Sequence, residues 1–416
     1  MPPPEKKDFL KLLPDSQRLV SLSVEISTAA SRSESRFWAK ELEKRVLKLL
    51  ETKKQQKLDA AIEYLYDTDL DAYNLLLETI ETLSESCVME HEGADYNVLL
   101  VVAPILAWTR FTIPSGRLSA ELFSGLSAAL AECVFAENTR FVLAPELYAI
   151  DQLPQTHTEV FSLMKDLADS MHGKAGSVLF KSQETSPFLA DVRYLVMAAS
   201  APASQPLFRW QTLHRTAGPG EIRAQCLENW QEKALPQLSN MMHGCVLDVM
   251  APDAFFDTCR KADQQIRPAS VHAAVNYLTQ VLDISVTDLR AVIGAFTETA
   301  QQEFVTEYRI GFFLRDNPQI LYGVVWPVYG AEEVQQTLRP ILPGEGRFSA
   351  QAEKHGPLAR ILTLLKESGI KCEKNHTEWF PMEFCEECGA PLFADVSAEL
   401  VHAELPESAG KEPRLH

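Results

Sequence analysis

The apolar residues of this chain change period at one place, and that change limits the folds open to it. From Ser16 to Cys87 they recur at helical spacing. Phe37, Trp38, Leu42, Val46, Leu49 and Leu50 make one stripe, Leu58, Ala61, Ile62, Leu65 and Tyr66 a second, and Tyr73, Leu76, Leu77, Ile80 and Leu83 a third. After the acidic turn around Glu90 to Asp95, the run Asn97 to Pro104 (NVLLVVAP) is continuously apolar and β-branched, as expected for a strand covered on both faces. Three to four amphipathic helices of this length cannot bury their faces alone. They must pack as a small antiparallel bundle or against the strand-bearing part of the chain.

The strand is followed by the turn Pro114-Ser115-Gly116, a helix from Leu118 to about Ala136, a strand at Arg140 to Pro145 and a helix over His157 to Met171. Ser177 to Phe180 comes next, and then Val192 to Ala199 and Pro206 to Gln211, which read as a hairpin about the turn Ala201 to Ser204. After Ala217-Gly218-Pro219-Gly220 the pattern begins again. A helix over Glu221 to Met241 leads to a strand at Gly244 to Ala251, then to helices near Asp253 to Asp263, Ala269 to Leu282 and Val286 to Thr299. A second hairpin pairs Tyr308 to Arg315 with Ile320 to Val328. Val101-Val102-Ala103-Pro104 is echoed by Val249-Met250-Ala251-Pro252, and Val192-Arg193-Tyr194 by Tyr308-Arg309-Ile310, although the spacings differ. The expected fold class is therefore α+β or α/β. It comprises a helical N-terminal region (1–92), two similar α/β lobes that suggest an internal duplication (93–219 and 220–345), and, after the Gly- and Pro-containing stretch Leu342 to Pro357, a helix with a small zinc-ribbon-like module (346–416).

Three of the eight cysteines, Cys372, Cys385 and Cys388, lie close together near the C-terminus; the other five are scattered singly, as small buried hydrophobes are. In a reducing compartment such a cluster suggests a metal rather than disulfides. Cys385-Glu-Glu-Cys388-Gly389 lets two thiolates meet one tetrahedral zinc, and glycine after the pair permits the positive φ that turns backbone N–H groups toward sulfur. A redox pair fits less well, because that motif opens a helix and Gly389 and Pro391 stop one. His402, on a return strand expected at Glu399 to Leu405, ranks as third ligand; His376, with Cys372 and His416 close behind, as fourth. A closed site of this kind implies a structural zinc.

With 57 acidic against 39 basic side chains the net charge is −18, so no general nucleic-acid binding is expected. Residues 1–60 carry 13 basic and 9 acidic side chains, yet Glu34, Glu41 and Glu43 interrupt the basic ones at helical spacing, as on a solvated helix face. No apolar stretch reaches the roughly 20 residues that cross a bilayer, and the N-terminus lacks a secretory signal, so a cytoplasmic protein is expected. Asp67, Asp69, Asp71 and Glu78 match a calcium loop in part, but Ala72 stands where that loop needs glycine, and helix capping is the better reading. Ser115-Gly116 near Arg110 reads as an ordinary helix start and His172 to Ser177 as a loop without a phosphate-binding frame. Trp108, Arg110, Asp151, His157, Arg193 and Asp316 sit near expected strand ends and read as surface or buttressing residues.

The chain resembles a family of uncharacterised bacterial proteins catalogued only as a domain of unknown function. The residues that carry the resemblance are Ala103 to Arg110 (APILAWTR), Ile150 to Pro154 (IDQLP), Phe380 to Leu392 (FPMEFCEECGAPL) and Val401 to Glu404 (VHAE). The resemblance implies a cytoplasmic bacterial protein and supports Cys385, Cys388 and His402, but brings no activity with it. From the residues we expect a zinc-stabilised interaction or regulatory protein without catalysis, facing a protein partner or a second copy of itself. The alternative is an enzyme working in the groove between the lobes.

Overall fold

The computed structural model describes residues 9–91, 93–109, 112–171, 189–211, 218, 220–297, 305–328 and 356–404. Four helices open it: α1 (Pro14–Ser27), α2 (Arg32–Glu51), α3 (Gln55–Thr68) and α4 (Leu70–Glu85). Pro14 occupies the first turn of α1, where its missing N–H costs nothing. Ser31 and Asp69 cap α2 and α4 by accepting from the N–H groups of Glu34 and Ala72, so of the three aspartates it is Asp69 that serves as the cap. The apolar stripes meet in one core with Leu19, Leu42, Val46, Leu58, Leu65, Leu76 and Ile80 fully buried.

That core continues onto a sheet. Strands β1 (Ser86–His91), β2 (Ala94–Trp108), β3 (Gly116–Arg117), β4 (Arg140–Ala149) and β5 (Ala190–Pro202) run in the order β1-β2-β5-β4-β3, and β6 (Val246–Val249) and β7 (Asp253–Ala254) also pair with β2. Every pair in it is antiparallel. Val98, Leu100 and Val102 of β2 face the helices α1–α4 and α6 (His157–Met171), while Val101, Ala103 and Ile105 face α5 (Ala120–Cys133) and α7 (Glu221–Met241). Both faces are covered, which is why β2 is apolar at consecutive positions.

A second sheet holds β8 (Leu289–Thr297), β9 (Glu307–Leu314), β10 (Asn317–Pro327) and β11 (Lys371–Pro381) in the order β10-β9-β8-β11, with β8 and β11 parallel. Helix α8 (Phe255–Val281) joins the two sheets. Its first half, with Phe255, Ala262 and Ile266, packs in the core of the first sheet, and its second half, with Val271, Ala274 and Leu278, in that of the second. The second sheet has α8 and α9 (Pro357–Glu367) on one face. The strands β12 (Phe393–Ala394) and β13 (Leu400–Val401), with their flanking loops, lie on the other.

Several expectations need correction. Leu289–Thr297, expected in a helix, is the central strand β8, buried along its whole length. Pro206–Gln211 forms no strand beside β5, only a single turn at Arg209–Gln211 and a bridge from Phe208 to Phe135. The two expected helices around Pro268 are one. Val246–Val249, expected in a second lobe, pairs with Ile105–Trp108 of the first sheet, so the two Val-x-Ala-Pro echoes are antiparallel neighbours. The sheets differ in strand number and direction, and this topology gives the duplication no support. The β9–β10 hairpin forms as expected. His416, His172 to Ser177, Arg110 and residues 342–355 lie outside the described residues.

Candidate metal centre

Residues 383–392 fold as a tight hairpin. Leu392 N–H donates to Glu383 O at 3.0 Å, Phe384 bridges Pro391, Cys385 N–H donates to Ala390 O at 2.7 Å, and Gly389 N–H returns to Cys385 O at 2.8 Å. Gly389 has φ +71°, the left-handed conformation for which glycine has no steric penalty. The knuckle so formed carries Cys385 and Cys388. His402 reaches it from the far side of the ribbon: Val401 pairs with Phe393, and Glu404 N–H donates to Ile320 O at 2.9 Å, which fixes the chain on both sides of the histidine.

Cys388 Sγ and His402 Nε2 are 3.1 Å apart, and the donor atoms of Cys385, Cys388 and His402 all lie within 4.8 Å of one another. Tetrahedral zinc, with Zn–S about 2.3 Å and Zn–N about 2.0 Å, sets its ligands roughly 3.5 to 3.8 Å apart, so small rotamer changes suffice to fit the ion. The backbone N–H groups of Cys388 and Glu387 point at Cys385 and hold its thiol below the ordinary cysteine range, which favours the thiolate a metal needs. The Glu404 carboxylate lies 3.6 Å from His402 Nδ1, on the side of the ring away from the sulfurs. Nε2 is the ring nitrogen turned toward Cys388 Sγ, and is the atom that would meet the ion. Two sulfurs and one imidazole suit zinc better than a hard cation.

His376 does not join this group. It stands on β11 with its side chain fully buried, Nε2 at 2.7 Å from Asp395 O, Nδ1 at 3.3 Å from Glu378 and its ring edge-on to Phe380. It pins the β12–β13 turn to the sheet. Cys372 is also elsewhere, with its thiol on the Lys374 carbonyl of its own strand and its pKa raised by burial. Among the described residues the group consists of three donors. Two residues missed in the sequence serve it: Glu404, and Arg309 beneath the knuckle. The pair Glu307-x-Arg309, two charges on one face of an otherwise apolar strand, is the signal that points to the second.

Of the described polar residues near strand ends, Trp108, Arg193 and Asp151 lie toward one end of the first sheet, where the Asp151 charge is felt by Asp191, while Asp316 belongs to the second sheet. Arg193 is buried, ion-paired to Asp191 and donating to the carbonyls of Ile113 and Pro114, a buttress for that loop. Asp151 is exposed in a short turn, and Asp316 is exposed in the β9–β10 turn of the other sheet. His157 opens α6, half-buried against Gln55 and Phe256, and burial lowers its pKa. Near it, Arg260 is held by both oxygens of Glu81 and by Asp257, and the Glu85 carboxylate accepts from Phe256 N–H at 2.9 Å, capping α8.

Burial, with smaller contributions from Glu81 and Asp257, pushes Glu85 from 4.5 up to about 7. Between those two values the folded chain keeps a proton that the unfolded chain releases, so stability falls as pH rises through that window, by about 3 kcal/mol at the upper limit. Gln at position 85 keeps an oxygen for Phe256 N–H but carries no charge. Glu85→Gln is therefore expected to melt higher than the wild type at pH 8 and alike at pH 4.5. A lower melting point at pH 8 would show instead that the charge is needed at the start of α8.

No helix among the described residues is long and apolar enough to cross a membrane. Fold and site together define a mixed helix-and-sheet protein with a C-terminal Cys/His group able to hold a metal ion. The chain belongs to the family described as Protein of unknown function (DUF2863), whose model matches residues 4–416. No curated protein and no solved structure matches it.

Proposed function

We propose that Cys385, Cys388 and His402 bind zinc, and that the chain is a zinc-stabilised interaction or regulatory protein of the cytoplasm rather than an enzyme. Its counterpart on this reading is a protein partner or a second copy of itself. The convergence of the Cys385, Cys388 and His402 donor atoms, within 4.8 Å of one another at a tight hairpin, carries the proposal. Zinc there would tie residues 383–392 to the strand end that bears His402; the chain's own groups set the geometry, through the Cys385–Ala390 hydrogen bond, the β12–β13 pair and Glu404.

Elemental analysis of the untagged chain tests this directly. About one zinc per chain is expected, X-ray absorption should read two sulfur neighbours and at least one nitrogen, and His376→Ala should keep the metal. A wild type free of metal after expression in zinc-replete medium would sink the site.

A further inference from the structure

Arg309 is buried in β9, directly under the knuckle. Its Nη1 donates to Glu383 O at 2.8 Å and to Leu392 O at 2.5 Å, the two carbonyls that close the base of the hairpin. Its Nε donates to Glu307 at 2.6 Å, which neutralises the charge, and the guanidinium lies over the rings of Phe296 at 4.3 Å and Phe384 at 5.1 Å. One side chain of the sheet thus ties both ends of the metal loop and stacks on the residue before Cys385. A lysine has one nitrogen in place of this planar fork and stacks poorly.

We infer that Arg309 is the positioning residue of the metal centre, so that zinc occupancy and the second sheet are energetically coupled through it. The inference rests on the zinc reading above. If the bound ion fixes the knuckle, it fixes the two carbonyls that Arg309 holds, and by linkage the fixed guanidinium raises the affinity of the loop for the ion. Loss of the fork leaves Cys385 and Cys388 in place but lets the hairpin rotate on the sheet, and zinc affinity falls.

The test uses the full chain as wild type, Arg309→Lys, and Arg267→Lys as a control. Arg267 is a second buried arginine, paired with Asp263 on α8. Zinc affinity is read by competition with a chromogenic chelator, the geometry by the visible bands of cobalt(II) in the same site, and the gain in melting temperature that zinc confers by calorimetry. Arg309→Lys is expected to bind zinc about ten-fold more weakly, with altered cobalt bands and a smaller zinc-dependent gain, while Arg267→Lys matches the wild type in all three. A general loss of stability would lower the melting points with and without zinc alike and leave the gain untouched, and that result overturns the proposal.

Hydrogen exchange on the unmutated chain decides the matter even if the variant does not fold. Stripping zinc should speed exchange in Tyr308 to Ile310 as well as in 383–392; a change confined to 383–392 overturns the coupling. If Arg309→Lys binds zinc as the wild type does, the coupling falls and the metal site stands. If the wild type binds no zinc, both fall.

Discussion

Replacing Cys385 and Cys388 together by serine is expected to abolish zinc retention and to lower the melting temperature of the chain by many degrees. Serine keeps the shape of the knuckle, since the Cys385–Ala390 and Gly389–Cys385 hydrogen bonds are made by backbone. It removes the two soft donors, because a hydroxyl is not deprotonated near neutral pH, and leaves His402 as the remaining member of the group. Structural zinc contributes roughly 10 to 16 kcal/mol in small four-ligand modules. Even a fraction of that is comparable to the whole net stability of a domain, about 5 to 15 kcal/mol. A chelator added to the wild type should reproduce the loss, and added to the double variant should do nothing more. Equal melting points for wild type and variant, each indifferent to chelator, would mean that the knuckle holds without an ion.

The second large effect is expected at a glycine far from the donors in sequence. Gly323 lies in β10, and the Phe393 ring sits directly over it, so that a Cβ at position 323 would fall inside the ring at Cζ, Cε1 and Cε2. The ring has nowhere to retreat, being packed with Val292, Phe313 and Ile320. Gly323→Ala must therefore lift β12 from the sheet or bend β10, at a cost of about 3 kcal/mol or more. Because β12 holds β13, and β13 places His402, the variant should also lose zinc affinity although no donor has changed. Gly323→Ala combined with Phe393→Ala should be less damaging than the sum of the two single changes. Additive losses would show that the ribbon is not seated on this glycine.

Much of this architecture is readable in the residues alone. The helices of the N-terminal region announce themselves because each has a polar face, and Ser31 and Asp69 are caps by residue type. That Cys385 and Cys388 could share a metal group with His402 is legible because a Cys-x-x-Cys-Gly turn suits a metal, although spacing alone leaves His376, Cys372 and His416 open beside it. Leu289–Thr297 reads as helix because a strand buried on both faces has no period to distinguish it from one. His376 reads as a ligand because sequence proximity to the cysteines says nothing of burial; its ring is spent on Asp395 and Phe380. Lys371 to Pro381, with lysines and glutamates between its apolar residues, gives no sign of completing a sheet begun some eighty residues earlier. Nor can Gly323 be told from any other strand glycine without the ring that covers it.

The parallel pairing of β8 with β11 also sets an order of events during synthesis. β8 and β9 zip together as soon as the chain to Leu314 is free, but the partner for the other edge of β8 ends only at Pro381. At roughly 5 to 20 residues per second, a ribosome needs about 4 to 17 s to travel from Thr297 to Pro381. Throughout that interval the N–H and C=O groups along one side of a largely apolar strand face solvent, open to any neighbouring nascent chain. The interval is long enough for a holding chaperone to act, and a transcript cut short before codon 371 would release a product with that edge permanently bare.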